Sequence, residues 1–207
     1  MSICACPKPS ALTEIPTADC PVDLKQIQKI IVQRHGFVFD SGAGTPTSPS
    51  VLADWLALKT ATDSTKVVVT PFIGSEPLIT PGEAIQEGGG DNSTLNGIAV
   101  VTGTNPSEFT CKFRSLSPDQ EKAIKSLMCE TSLVVYLITQ ENKIIVKKIS
   151  TAKKTGFDIS ALFLSDRMNE GFGKNDMFNF KFSLTAGWSE DLEVITPASG
   201  FNPLTDL

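Results

Sequence analysis

This 207-residue chain has one histidine, His35, and one tyrosine, Tyr136. Any Ser-His-Asp or Cys-His arrangement would therefore have to pass through His35. That residue stands in Gln33-Arg34-His35-Gly36, between two apolar strand-like runs, where a surface or strand-end side chain is the ordinary reading. Long apolar runs are missing as well. No stretch approaches the roughly 20 residues that span a bilayer, so no membrane partner is expected. The 41% hydrophobic content and a mean hydropathy of +0.03 exclude wholesale disorder. A basic excess is lacking too: 18 Lys and Arg against 23 Asp and Glu leave a net charge of −5, whereas a surface built to grip nucleic acid is basic.

Cysteine is scarce and odd in number, with five in all. The start from Met1 to Cys6 carries no charge and is interrupted by Pro7 and Pro9, so no secretory leader is expected and reduced thiols are. Cys4, Cys6 and Cys20 lack a local fourth ligand, which favours free or packed cysteines over a metal site. Gly171-Phe172-Gly173-Lys174 has neither an upstream glycine at P-loop spacing nor a Ser or Thr after the lysine, and Gly88-Gly89-Gly90 lacks strand-to-helix context. Asp166, Glu170 and Asp176, and again Glu190, Asp191 and Glu193, cluster without EF-hand spacing and read as solvated acidic rims. Asn92-Ser93-Thr94 matches a glycosylation acceptor but has no secretory route. No catalytic residue, cofactor site or metal site is expected, and the chain reads as a non-enzyme.

What is present is strand-forming sequence organised around Phe109–Ile149. Phe109, Cys111 and Phe113 alternate with polar neighbours as in a half-buried strand. Ser117-Pro118-Asp119-Gln120 then predicts a helix with Ser117 as N-cap, Pro118 at the first position and Gln120 completing a capping box. Ala123/Leu127 and Ile124/Met128 form its apolar stripe. Leu133–Ile138 and Ile144–Val146, joined by a polar turn over 140–143, predict a hairpin. Upstream, Leu24, Ile27, Ile30 and Ile31 suggest a brief helical turn before a strand through Phe39. Val51–Leu58 predicts a short helix anchored by Trp55, and Lys66–Thr70 a strand ended by Pro71 that resumes at Leu78-Ile79. Phe157, Ile159, Ala161 and Phe163 alternate along one strand, and Phe178, Phe180, Phe182 and Leu184 along another, with a last strand or turn at Leu192–Ile195. The paired lysines Lys147-Lys148 and Lys153-Lys154 read as edge-strand protection.

The sum is about seven to nine strands and two or three helices without βα alternation. That order predicts a mainly β fold, an antiparallel β-sandwich or partly open barrel with one main helix packed on it. Its core anchors are Trp55, Ile124, Leu127, Phe178, Phe180 and Phe182. Residues 1–21 read as a proline-rich extended arm, 22–196 as a single β-rich domain and 197–207 as a C-terminal tail. Within the domain, 83–97 reads as a long Gly-rich loop fixed only by something it touches. Gly88, Gly89, Gly90, Asp91, Asn92, Leu95 and Asn96 are the candidate subunit interface.

As a set, these features resemble tailed-bacteriophage virion proteins, most of all tail tube proteins. They are the proline-rich start, Cys20-Pro21 leading into Gln26-Ile27-Gln28-Lys29-Ile30, Trp55 in a short helix, and Lys66-Val67-Val68-Val69-Thr70-Pro71. Pro81-Gly82-Glu83 and a Gly-Gly-Gly-Asp-Asn loop closing at Asn96-Gly97 complete it, over most of residues 20 to 195. The resemblance implies a β-barrel or sandwich whose copies join into rings, usually of six, that stack through hairpins and arms. It implies copies of the chain itself and other virion proteins as partners, with DNA only as non-specific passing cargo. The location implied is the virion, assembled in the bacterial host cytoplasm. The acidic balance fits a bore that repels phosphate, although no strand is identified as its acidic lining. A head-to-tail ring or capsid decoration protein would share these parts, and a small virion-associated enzyme or carbohydrate-binding module would instead be a monomer with a concave pocket.

Replacing His35 by Ala is expected to leave function intact with a stability change below about 1 kcal/mol. Elemental analysis of the purified protein should find no stoichiometric metal; one equivalent would defeat the non-metal reading.

Overall fold

The computed structural model describes residues 26–207 apart from Asp91, Ser93 and Glu170, together with Ala11, Glu14, Ile15 and Leu24. The expected arm over 1–21, with Cys4, Cys6 and Cys20, otherwise lies outside the described residues. The first elements are β1 (Ile27–Arg34), β2 (Phe39–Asp40), α1 (Leu52–Thr60) and β3 (Val67–Val69). Then follow β4 (Ser75–Thr80), β5 (Ala84–Glu87), β6 (Val100–Thr104), β7 (Ser107–Arg114) and α2 (Pro118–Ser126). The rest comprises β8 (Leu133–Thr139), β9 (Ile144–Lys148), β10 (Lys153–Thr155), β11 (Phe157–Leu164), β12 (Met177–Leu184), β13 (Leu192–Ile195) and α3 (Pro203–Asp206). The fold is mainly β, and every strand pairing named below is antiparallel.

β8 lies at the middle. Every residue of Leu133–Thr139 is buried, because the strand has a core on each face. Along one edge it pairs with β1 from Ile27–Thr139 to Arg34–Leu133. Along the other it pairs first with β11 (Val135–Phe157) and then with β9 (Leu137–Ile145). Leu133, Val135 and Leu137 face one core with Ile30 and Val32 of β1, while Val134, Tyr136 and Ile138 face the other with Ile31. Burial on both faces is also why the helix-spaced set Leu24, Ile27, Ile30 and Ile31 forms no helical turn. Ile27–Arg34 is strand throughout, and a strand covered on both sides reads as a continuous apolar run.

The first core is the inside of a partly open barrel. Its wall runs β1-β8-β11-β12-β7-β4. The link from β3 to β4 returns the circuit: Ile73 N donates to Gln28 O of β1 (2.9 Å) and Gly74 N to Lys112 O of β7 (2.8 Å). Phe178, Phe180 and Phe182 pair across β12–β7 with Phe113, Cys111 and Phe109. The Phe109 and Phe182 rings stack at 4.8 Å, and Phe157 meets Trp188 edge-on at 5.3 Å. Helix α2 is capped by the reciprocal bonds of Ser117 and Gln120. Its buried contribution narrows to Ile124 with half-buried Leu127, while Ala123 and Met128 are exposed. The helix ends at Ser126 and tightens to a 3₁₀ turn over Leu127–Cys129, so the four-residue spacing that paired Ile124 with Met128 no longer holds.

The second core lies on the other face of β1 and β8 beneath α1. Trp55 is fully buried against Phe39 and Tyr136, and its Nε1 donates to Pro49 O at 2.9 Å. The predicted C-terminal tail is a third side of this core rather than a free segment. Phe201 and Leu207 are buried, Asn202 caps α3, Lys29 Nζ donates to Leu204 O and Lys59 Nζ to Leu207 O, both at 2.7 Å. Apolar side chains at the end of the chain pack where α1 leaves β1 and β8 uncovered.

Three further expectations are corrected. The thirteen strands among the described residues exceed the number expected because short strands such as β2 and β10 leave no sequence period of their own. The paired lysines are not edge guards: β9 and β10 each have neighbours on both sides, and Lys147, Lys153 and Lys154 bind Asp158, Asp40 and Glu193. In β11 a bulge between Ser160 and Phe163, with Ala161 at φ 51°, breaks the alternation, so Leu164 enters the core and Phe163 faces out.

The 83–97 segment is likewise not an open loop. β4 and β7 belong to the large sheet, β5 and β6 pair only with each other, and the four make one hairpin. The pairs Thr80–Glu108 and Ala84–Thr104 keep one register across the joint of Pro81-Gly82 with Asn105-Pro106. The backbones touch there: a Cβ on Gly82 would fall 1.9 Å from Asn105 O.

Phe180→Ala should destabilise by about 3–5 kcal/mol through lost burial plus a cavity, read by urea denaturation; below about 1 kcal/mol the Phe row would not be core. Gly82→Ala should force the joint open at a cost of about 1–3 kcal/mol and speed amide exchange in β5 and β6 more than in β8. Uniform exchange would show that the joint does not hold the ribbon.

Candidate functional site

The chemically suggestive side chains are engaged in surface ion pairs or packed away. His35 follows β1 and places Nδ1 2.8 Å from Asp158 Oδ1, while Lys147 Nζ binds Asp158 Oδ2 at 3.0 Å. Partial burial of Asp158 works to raise its pKa, but the hydrogen bonds from Lys147 and His35 outweigh it and hold the carboxyl below the usual range. Cys111 lies in the first core, where burial pushes its thiol up and away from thiolate chemistry, while Cys129 is exposed.

Asp166 and Asp176 of the acidic loop are each paired with a cation, one from α2 and one from the loop itself. Asp166 binds Lys125, and Asp176 binds Arg167 at 3.0 Å and accepts from Asn169. Among the described residues no group of three or more His, Cys, Asp and Glu side chains is placed to hold a metal ion. No helix among them is long and apolar enough to cross a membrane.

The distal half of the hairpin is a different kind of feature, because it exposes apolar side chains on two strands that, among the described residues, pair only with each other. Ile85, Val100 and Val101 stand on its strands, and Leu95 (85% exposed) and Ile98 (62%) near its tip. The tip is closed by Gly89 N donating to Gly97 O (3.0 Å) and Gly97 N to Thr94 O (3.1 Å), with Gly88, Gly89 and Gly90 all at positive φ. A Cβ on Gly88 would meet Thr94 Oγ1 at 2.3 Å. The glycines therefore permit a tight, left-handed turn instead of leaving the chain shapeless.

Of the candidate interface residues, Gly88, Gly89, Gly90, Asn92, Leu95 and Asn96 sit together at this tip, and Asp91 is outside the described residues. Val100 and Val101, exposed on the same ribbon, are not among those candidates. Ile98-Ala99-Val100-Val101 has the composition of a strand, but only the register with Ala84–Glu87 shows that it belongs to a projecting ribbon. Charge is one-sided: from Val67 through Cys111 there is no Lys or Arg, while Glu76, Glu83, Glu87, Asp91 and Glu108 are present.

Beside the hairpin base, the outer face of the barrel wall is not covered by any other element among the described residues, and Leu78 and Phe163 are exposed on it. Register sets Leu78, Thr110, Lys181 and Phe163 in one row across β4, β7, β12 and β11, and Ser75, Lys112 and Asn179 in the next. A shallow depression of about 400 Å³ lies here, lined by Thr110, Lys112, Phe163, Asn179, Lys181 and Glu76 among others.

No family model matches the chain, and no curated protein matches it. Among solved structures, it is similar to a chain in a six-fold symmetrised cryo-EM structure of the anti-feeding prophage baseplate. Identity is 11% and the TM-score 0.30, over 86% of this chain and 97% of that one. A likeness that slight carries no functional weight.

Proposed function

We propose that this chain is a non-enzymatic structural subunit of a tailed-phage-type virion, whose copies join into rings that stack as a tube conducting DNA. The observation that carries the reading is the ribbon β5–β6. It continues a core hairpin past its last contact with the domain and exposes Ile85, Leu95, Ile98, Val100 and Val101. Burying side chains that are already half-covered would gain on the order of 1 kcal/mol each. A monomer leaves that gain unused, whereas a neighbouring copy can take it. The residues of the ribbon also supply the sign of charge a conduit needs: carboxylates without cations repel phosphate, so DNA passes instead of binding. Other virion proteins would meet the ends of such a ring or stack.

The test trims the ribbon without touching the core. Ile85 pairs with Gly103, so replacing residues 86–102 by Asn-Gly closes the hairpin as a two-residue turn. Wild-type protein should form rings or tubes by sedimentation velocity and negative-stain imaging as concentration rises. The trimmed variant should keep the wild-type circular dichroism and remain monomeric. In wild type, amides from Glu87 to Val101 should exchange at least tenfold more slowly after assembly than in dilute monomer. A wild-type chain monomeric at every concentration, or a trimmed variant that still assembles, would overturn the proposal.

A further inference from the structure

We infer that the ribbon of one copy docks on the outer face of β4, β7, β12 and β11 of the next, over the depression between Leu78 and Phe163. This rests on the assembly reading and names the acceptor that reading lacks. Two irregularities in the wall point to it. The bulge in β11 carries Ala161 at φ 51°, and the bulge in β4, between Ser75 and Leu78, carries Glu76 at φ 57°. Left-handed backbone at a residue other than glycine is disfavoured and persists where the surroundings impose it. Both bulges turn an apolar side chain outward. Phe163 comes to lie opposite Lys181 and is 41% exposed; Leu78 comes to lie opposite Thr110 and is 58% exposed. An unbroken ladder would put other residues at these two places.

Donor and acceptor are complementary in both respects that matter. The ribbon offers aliphatic side chains with Glu83 and Glu87 and no cation; the face offers Leu78 and Phe163 with Lys112 and Lys181 between and beside them. The two lysines are already paired, Lys112 with Glu76 at 3.1 Å and Lys181 with Glu108 at 3.9 Å. An arriving carboxylate therefore shares a lysine with its present partner. Apolar contact supplies the main gain and charge sets the register. Because one hairpin carries the ribbon at its far end and half of the acceptor at its base, the contact joins unlike surfaces of successive copies. Such a head-to-tail contact closes into a ring if its rotation permits and otherwise extends as a filament.

Two one-sided variants test this. Lys112→Glu with Lys181→Glu keeps the ribbon and spoils the face; the Asn-Gly replacement of residues 86–102 keeps the face and removes the ribbon. Each alone should be monomeric, with self-association at least tenfold weaker than wild type. Mixed in equal amounts, they should form a one-to-one dimer and go no further, because the intact ribbon of the first meets the unaltered face of the second. Phe163→Ser with Leu78→Ser should replace the charge variant with the same result, and this apolar pair mixed with the trimmed variant is the cleaner control. A third mixture, trimmed variant with wild type, should cap growing assemblies at one end and shorten them. If wild type assembles and needs its ribbon, yet both face variants assemble like wild type, the docking site is wrong while the assembly reading stands. If deleting residues 1–25 instead frees the face and abolishes assembly, the occupant is the N-terminal segment and this inference fails. If wild type never assembles, both readings fall.

Discussion

The structure depends on the pairing of β1 with β8. Both strands are covered on both faces, so neither could be removed from one core without opening the other. Their side chains alternate between the Phe-rich barrel interior and the Trp55–Tyr136 cluster. A one-residue slip would exchange the two sets, sending Tyr136 into the barrel and Val135 against Trp55. Buried polar contacts fix the alignment. Tyr136 Oη donates to Gln33 Oε1 at 2.9 Å, and Ile30 N to Thr70 Oγ1 at 3.0 Å, so a slip would also strand polar groups out of water.

Legibility in the sequence follows from how each element is buried. β7, β12 and α2 were readable at once because each has one wet side: Phe178-Asn179-Phe180-Lys181-Phe182 announces its period, and Ser117 with Gln120 announces a helix start. β1 was misread as partly helical because a strand with two dry sides has no period to read. The packing of the C-terminal tail was not legible because Phe201, Leu204 and Leu207 show no pattern until α1 leaves a gap for them. Bulges were invisible for a related reason: Phe163 continues the alternation of Phe157 and Ile159 in sequence, and only an inserted backbone residue reverses its side. The hairpin tip was legible as a turn through its glycines, whereas the ribbon beneath it and the wall beside it required registers that no local signal carries.

Core packing and exposed apolar surface are kept on separate halves of one hairpin. At its base, Phe109 and Ile79 pair across the wall and serve the core. Beyond Gly82 the same two strands make no contribution to either core. Glycine at the joint lets the backbones approach within a distance that any side chain would block. The hairpin can therefore twist out of the large sheet without losing register. A ribbon tethered this way inherits the alignment of the barrel and needs little folding energy of its own, although a two-stranded hairpin alone in water is marginal.

That arrangement also bears on how exposed apolar surface is tolerated. An unpaired strand edge with apolar side chains invites indiscriminate pairing. Here the ribbon is short, its strand edges carry Glu83 and Glu87, and no cation from Val67 to Cys111 offers those carboxylates a partner within the segment. Two ribbons meeting each other would bring like charges together, whereas the wall pairs Lys112 with Glu76 and Lys181 with Glu108 and is balanced in charge. The charge that makes the segment a poor ligand for DNA thus also disfavours ribbon-to-ribbon pairing, and leaves association with an unlike surface as the arrangement with the least electrostatic cost.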